Sequence, residues 1–413
     1  MTETKATFLK TWPLFFGIGM LMIGNGLQGT LLGVRAGIEE FSVLTTGLIM
    51  SSYYVGLLIG SWKVPDFIAS VGHIRVFAAL ASLASTTVLI HGVVIDPIAW
   101  FVVRAISGFA FAGLYIVCES WLNDAATNET RGTILGAYMV VTFLGMAIGQ
   151  GLLNVASPSD IQLFIITSIL VSLALLPISL SRRPAPDFTA NETISIWTIW
   201  KRSPLGILGT IISGLTSAMV FSIGPIFGLA IGLSTASISG FMASFLIGAM
   251  VFQMPIAWIS DKMDRRKMII ILGFASAGVS FLLFIAPSSQ VFLLFGVMAL
   301  LGGVAMPIYS QCISHVNDHL LPRQFVAATG TLLLLNGLGA AIGPLLVSGI
   351  MEIFGTNGYV GLLVISFGFM TVFGVYRAFR YDAVPLEDQG DVIMMPARGS
   401  AIDIYNENDE EGV

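Results

Sequence analysis

Long apolar stretches, each about the length of a bilayer crossing, alternate with short polar breaks along nearly all of this chain. Crossing the hydrocarbon takes roughly 20 apolar residues per helix. Twelve stretches reach that length, near 12–34, 44–64, 74–95, 98–120, 132–153, 161–181, 204–230, 236–259, 268–286, 290–313, 325–351 and 359–379. The pattern predicts an all-α membrane protein with twelve transmembrane helices. Pro225, Pro255, Pro307 and Pro344 interrupt several of these stretches, which helices in a bilayer tolerate better than soluble ones. Met1 to Trp12 is polar, so no cleavable signal is expected ahead of the first helix.

The pattern repeats. Tyr115-Ile-Val-Cys118-Glu119-Ser120-Trp-Leu-Asn123-Asp124 returns 194 residues later as Tyr309-Ser-Gln-Cys312-Ile313-Ser314-His-Val-Asn317-Asp318, and each copy closes a long apolar stretch. The same offset pairs Gly108 with Gly302, Gly136 with Gly330, Gly145 with Gly339 and Gly149 with Gly343. Two pseudo-symmetric six-helix halves are therefore expected, 1–181 and 204–380, with a cytoplasmic linker at 182–203 and an acidic tail at 381–413. Parallel repeats of this kind are a plan of transporters that hold a site between the halves.

Composition sharpens that picture. Hydrophobic residues make up 55% of the chain and charged ones 10%, against about 25% charged in soluble domains. With the N-terminus inside, 17 of the 19 Lys and Arg fall at the cytoplasmic face, while Arg35 falls outside and Arg104 within a helix. This asymmetry predicts both termini in the cytoplasm and an inner (plasma) membrane location. The net charge of −5 says little about partners, because nine of the 24 acids follow residue 380. That tail is too polar to bury a core and reads as disordered. In the linker, Ile194 to Arg202 could lie along the interface with Trp197 and Trp200 at headgroup depth. Cys118 and Cys312 occupy equivalent positions in the two halves and read as small buried packing residues rather than a disulfide.

Several motifs carry no chemistry here. Gly24-Asn-Gly26-Leu-Gln-Gly29 matches the dinucleotide fingerprint, yet it lies inside an apolar helix with no strand before it, so nucleotide binding is not expected. Asn128-Glu-Thr130 and Asn191-Glu-Thr193 fit the glycan acceptor pattern but fall on the cytoplasmic side. No cluster has metal-ligand spacing and no nucleophile–base set is visible. No enzyme activity, cofactor or nucleic-acid partner is expected.

The loops carry a resemblance. Ala257-Trp-Ile-Ser-Asp261-Lys262-Met-Asp264-Arg265-Arg266-Lys267 looks like the loop motif of the major facilitator superfamily, G-x-x-x-D-R-x-G-R-R. The first-half counterpart keeps Gly72 and Arg75 but has Ala69 at the acid position. Gly26-Leu-Gln28-Gly-Thr30-Leu, Val71-Gly72-His73-Ile-Arg75-Val-Phe77 and Glu119-Ser-Trp121-Leu-Asn123-Asp124 resemble the YcaD-like branch of bacterial permeases. The resemblance covers about residues 12–380 and implies the major facilitator fold. It also implies a conformational latch at Asp261, Arg265 and Arg266, with Gly72 and Arg75 as its first-half counterpart. Without an acid at Ala69, the latch is expected to be dominated by the second half. The alternative is that these charges only anchor a helix at anionic headgroups.

Ionisable residues inside the bilayer are functional candidates, since a charge at its centre costs about 2.5–3.5 kcal/mol on insertion scales. At 100° per residue, Arg104, Gly108, Phe111, Tyr115 and Glu119 share one helix face. The second copy of that stripe reads Met298, Gly302, Ala305, Tyr309 and Ile313, so both charges are additions to one half. Arg104-x-x-x-Gly108 also resembles the family's fourth-helix motif, whose arginine is linked to substrate or proton handling. Asn25 and Gln28 on the first helix, with Tyr115, Tyr138, Tyr309, Gln311 and Asn336, complete the expected substrate-binding set. Glu119 is the candidate for coupling. Each polar residue could equally be glue between helices. The glycine pairs Gly56/Gly60, Gly145/Gly149 and Gly339/Gly343 read as close-packing faces. Antiporters of the superfamily often carry Gly-x-x-x-Gly-Pro on the fifth helix. Here it ends in Gly149-Gln150, and the proline version appears on the eleventh as Gly343-Pro344.

The combined expectation is a monomeric secondary transporter that moves a small molecule by alternating access. Proton motive force is the expected drive, and Arg104 favours an anionic substrate. A proton-coupled drug or metabolite efflux pump, and a receptor or assembly factor that keeps the fold without transport, remain the alternatives.

Overall fold

The computed structural model describes residues 3–179, 194–321 and 324–380, and beyond them 385, 389, 390 and 392. The described chain is helical. The first half holds α1 (Glu3–Ile38), α2 (Val43–Val71), α3 (His73–Val93), α4 (Pro97–Ala125), α5 (Asn128–Leu152) and α6 (Gln162–Ser179). A short helix, α7 (Ile196–Arg202), precedes the second half. That half holds α8 (Pro204–Ala230), α9 (Thr235–Ser260), α10 (Arg265–Ile285), α11 (Val291–Ala305), α12 (Pro307–Asn317), α13 (Phe325–Phe354) and α14 (Thr356–Arg380).

Among these, 11 spans are long and apolar enough to cross a membrane, and Gln162–Ile178 of α6 is a shorter apolar twelfth. α11 and α12 form one crossing, Val291–Asn317. It breaks at Met306 because Pro307 has no N–H to donate and its ring crowds the preceding turn. Pro225, Pro255 and Pro344 stay inside α8, α9 and α13. Helix starts are capped by short polar side chains. Asp96 accepts from the Ala99 amide at 2.7 Å and Ser234 from the Ser237 amide at 3.2 Å. Gly72, at φ 87°, makes the abrupt passage from α2 to α3, a backbone that a side chain would strain.

The repeat seen in sequence is also a repeat of packing. A Cβ on Gly56 would meet the carbonyl oxygen of Ala105, and one on Gly248 that of Ala299. Gly108 abuts Tyr53 and Gly302 abuts Phe245; Gly149 abuts Ile23 and Gly343 abuts Leu215. Within α4–α5 the pairing keeps the 194-residue offset, while Gly56/Gly248, Tyr53/Phe245 and Ile23/Leu215 differ by 192. The first two helices of each half are thus shifted by two residues, which a gapless comparison of the sequence misses. These glycines let helix backbones touch. We expect Gly56→Ala to force α2 from α4 at an overpacking cost of about 1–3 kcal/mol, read as a lower melting temperature of the purified protein; an unchanged melting temperature would mean that the contact relaxes freely.

The two halves meet at the end of the bundle where α1 ends and α2 begins. There the Leu44 amide donates to Glu352 at 3.2 Å, Asn154 Nδ2 to Ser239 Oγ at 3.0 Å, and Ser239 Oγ to the Gln150 carbonyl at 2.5 Å. A Cβ on Gly47 would collide with Ser348, and one on Gly33 would press on Pro225 at 3.1 Å. This end is closed. The outward rim is apolar, with Phe274, Phe292 and Val372 exposed, as a surface bathed in acyl chains requires.

The tail expected to be disordered lies mostly outside the described residues. Gly390 and Val392, however, bond to the loop between α9 and α10. Residues 182–193 of the linker and Asn191 lie outside the described residues too, as does the backbone of Arg323 and Arg398. Ile199 of α7 is buried against the second half, while Trp197 and Trp200 are exposed. Both cysteines are buried and free.

Candidate functional site

A cavity beneath the closed end carries the chemistry. It is a small, partly open space of about 20 Å³ between α1, α2, α4, α5 and α8. Asn25, Thr30, Tyr53, Arg104, Gln150 and Ser222 line it. Arg104 sits seven residues into α4 (104 − 97), roughly 10 Å along the helix, and is 4% exposed. Its guanidinium lies over the Tyr53 ring at 4.2 Å, a cation–π contact that a desolvated site strengthens to about 2 kcal/mol. Gly108, one turn on, lets Tyr53 of α2 approach because its own position admits backbone where a side chain would not fit.

Of the residues expected from sequence, Arg104 and Asn25 line this cavity. Tyr115 joins them indirectly, since Asn25 Nδ2 donates to its hydroxyl at 2.7 Å. One turn beyond Tyr115, the buried carboxylate of Glu119 accepts from Tyr138 Oη at 2.6 Å. A polar line therefore runs from Arg104 past Asn25 and Tyr115 to Glu119 and Tyr138. Gln28 is fully buried yet does not line the cavity, and neither of its amide atoms has a hydrogen-bond partner among the described residues.

The second-half candidates lie outside this cavity, although Tyr309 stands near enough to Glu119 to feel its charge. Tyr309 packs with Ile199, Ile313 and Leu332 in a separate core. Gln311 Oε1 accepts from Ser260 Oγ at 2.5 Å, and Asn336 Nδ2 donates to the Thr210 carbonyl at 3.2 Å. These bonds tie helices of one half together. Sequence reasoning missed Gln150, Thr30 and Ser222 as cavity residues. The signal for Gln150 was present: it stands where the repeat has Pro344, as Arg104 stands where it has Met298.

The second half has its own small pocket, about 10 Å³ and partly open, lined by Ser217, Phe245, Leu301 and Ala305 among others, and no charged residue among the described residues lines it. By the shared glycine contacts, Ser217 corresponds to Asn25 and Phe245 to Tyr53. The two spaces correspond only at these positions: Met298, the counterpart of Arg104, is buried and does not line this pocket.

At the opposite end of the bundle, the charges expected to form a latch cluster around Arg265. Its side chain is 2% exposed and pairs with Asp318 at 2.7 Å, and with Asp261 only at 3.7 Å. Asp261 instead accepts from the Val392 amide at 2.9 Å, and Arg265 also donates to the Gly390 carbonyl. The Gly390 backbone bonds Asp318 as well. Burial pushes the Asp318 carboxyl above its ordinary value, while Arg265 pulls against that shift. Arg266 pairs with Asp264 at 3.4 Å, and Asp264 caps α10. In the first half, where Ala69 replaces the acid, Gly72 makes the turn and Arg75 is exposed. There His73 bonds Ser120 at 3.1 Å and stacks on Trp121. Asp318 and the tail were not anticipated in the latch, because their nearness to Arg265 depends on how α10, α12 and the tail converge. Among the described residues no group of His, Cys, Asp and Glu could hold a metal.

Residues 206–392 match the family model described as Major Facilitator Superfamily; the match ends at Val392, which bonds Asp261. An uncharacterized MFS-type transporter of Yersinia pestis (strain Pestoides F) is 26% identical over 352 residues, 83% of this chain and 89% of that protein. The uncharacterized MFS-type transporter YcaD of Escherichia fergusonii is 24% identical over 381 residues, 90% and 97% of the two chains. The crystal structure of the nucleoside transporter NupG aligns with a TM-score of 0.70 at 18% identity, covering 91% of this chain and 100% of that one. An inward-facing, unoccupied bacterial homolog of the human lysosomal transporter Spinster aligns with a TM-score of 0.66 at 14% identity, covering 95% and 99%. At these identities the two structures show a shared fold.

Proposed function

Starting from a chain that is a major facilitator superfamily protein similar to the YcaD-type transporters, we propose a secondary active transporter of a small anionic molecule, driven by protons. The family and its multi-pass fold make it a membrane transport protein. The observation that carries the finer reading is Arg104, buried beside a cavity and stacked on Tyr53, where the repeat has the neutral Met298. A desolvated guanidinium presents a planar fork of donors to a carboxylate or phosphate.

In this reading the halves 1–181 and 204–380 rock about the cavity, with the linker, the tail and both termini in the cytoplasm of a plasma-membrane protein. The closed end then faces outside. Glu119, at the far end of the polar line, takes up and releases the coupling proton. The test is uptake of a panel of radiolabelled small organic anions into proteoliposomes, with and without an imposed pH gradient. Gradient-stimulated uptake of an anion supports the reading; uptake of organic cations instead would overturn it.

The latch belongs to the same cycle. Arg265 joins the loop after α9 to the end of α12, and the tail backbone joins both. Arg265→Met leaves Asp318 buried without its ion, an uncompensated charge that costs about 3–5 kcal/mol. We expect slower transport and a lower melting temperature. Truncation after Arg380 removes the tail's backbone bonds to Asp261, Arg265 and Asp318 but leaves the Arg265–Asp318 ion pair, so it should slow transport less than Arg265→Met does. Wild-type rates in both proteins would reduce the loop to a headgroup anchor.

A further inference from the structure

We propose that Gln150 determines specificity in the Arg104 cavity by selecting anions that carry a hydrogen-bond donor apart from the anionic group. The inference rests on the anion reading of Arg104 and adds the other end of the ligand. Gln150 lies at the end of α5 and is 2% exposed. Its Nε2 donates to the carbonyl of Gly26 on α1 at 2.8 Å. That bond sets the amide's orientation, because a carbonyl can only accept. What remains is Oε1, an acceptor, and it has no hydrogen-bond partner among the described residues. Buried polar atoms are seldom left so, and this residue lines the same cavity as Arg104.

Two further observations point the same way. Gln150 replaces the proline of the repeat, Pro344, so the amide is an addition to the half that also gained Arg104. Its main-chain carbonyl accepts from Ser239 of the other half at 2.5 Å, which places it at the closed end in this conformation. Arg104 only donates and Gln150 Oε1 only accepts. A ligand that satisfies both is anionic at one end and carries a hydroxyl or N–H group at the other. A plain aliphatic or aromatic acid meets Arg104 but leaves the amide oxygen without a partner. Sites built to bond a ligand hydroxyl reject the analogue that lacks it.

Binding of three matched pairs to purified full-length protein tests this: lactate against propionate, malate against succinate, and para-hydroxybenzoate against benzoate, by isothermal titration. Wild type should prefer the donor-bearing member of at least one pair by about tenfold, the scale of one buried hydrogen bond. In Gln150→Met, which keeps the volume, that ratio should fall to near one while anions still bind. Gln150→Glu keeps an acceptor but sets a negative charge in the cavity, and should weaken both members of each pair. A purely structural role for the amide would lower stability in Gln150→Met without moving the ratio. If wild type binds acids but discriminates no pair, or Gln150→Met keeps the discrimination, the assignment of Gln150 is wrong and Arg104 stands. If wild type binds no acid at all, the anion reading itself fails and this inference with it.

Discussion

Arg104→Met should abolish anion binding and transport while the protein still folds and inserts. Arg104 is the charged side chain of the cavity, and its second-half equivalent is already a buried methionine, Met298, so the fold accommodates that residue at this depth. Removing one partner of a buried charge pair costs about 2–5 kcal/mol, and each 1.4 kcal/mol is tenfold in affinity. The expected loss is therefore thirtyfold or more in affinity, by that arithmetic. Arg104→Lys keeps the charge but loses the planar fork and its stacking on Tyr53, so it should bind weakly rather than not at all. Titration and counterflow in proteoliposomes measure both. Wild-type transport by Arg104→Met would remove the guanidinium from the site.

Glu119→Gln should separate movement of substrate from its drive. The Glu119 carboxylate accepts from Tyr138 at 2.6 Å within a buried polar line. Glutamine keeps the size and the acceptor for that hydroxyl, but it cannot take up or release a proton. An alternating-access carrier whose coupling group is fixed in one protonation state still exchanges substrate, yet cannot accumulate it against a gradient. The expected result is substrate counterflow within about twofold of wild type, since cavity binding is untouched, and no uptake driven by a pH gradient. Tyr138→Phe removes the hydrogen bond without removing the carboxyl, so it should shift the pH dependence of uptake rather than abolish it. Accumulation by Glu119→Gln at the wild-type level would place coupling elsewhere.

The hydrophobic pattern alone determined the class of this protein. Span length and apolarity are local properties, so twelve crossings and two repeats could be counted before any contact was known. The gain of Arg104 and Glu119 in one half was visible in the same way, as departures from Met298 and Ile313. So was Gln150 in place of Pro344, although as a missing motif rather than a gained amide. Gapless comparison failed in the first two helices of each half, where the shared contacts Gly56–Ala105 and Gly248–Ala299 reveal the two-residue shift.

Tertiary structure decided which polar residues meet. A helical wheel gives the face of a side chain but not the rotation and depth at which its helix packs. Asn25 and Gln28 share a helix and a polar character, yet Asn25 reaches Tyr115 and the cavity while Gln28 is buried outside it. Asp318 pairs with Arg265 across 53 positions of sequence, and Val392 reaches Asp261 across 131. Such contacts join segments whose separation along the chain carries no information about their separation in space. Length, period and repeat are written along one dimension. The cavity, the charge cluster at Arg265 and the closed end arise from the way helices cross, and only the packed bundle specifies that.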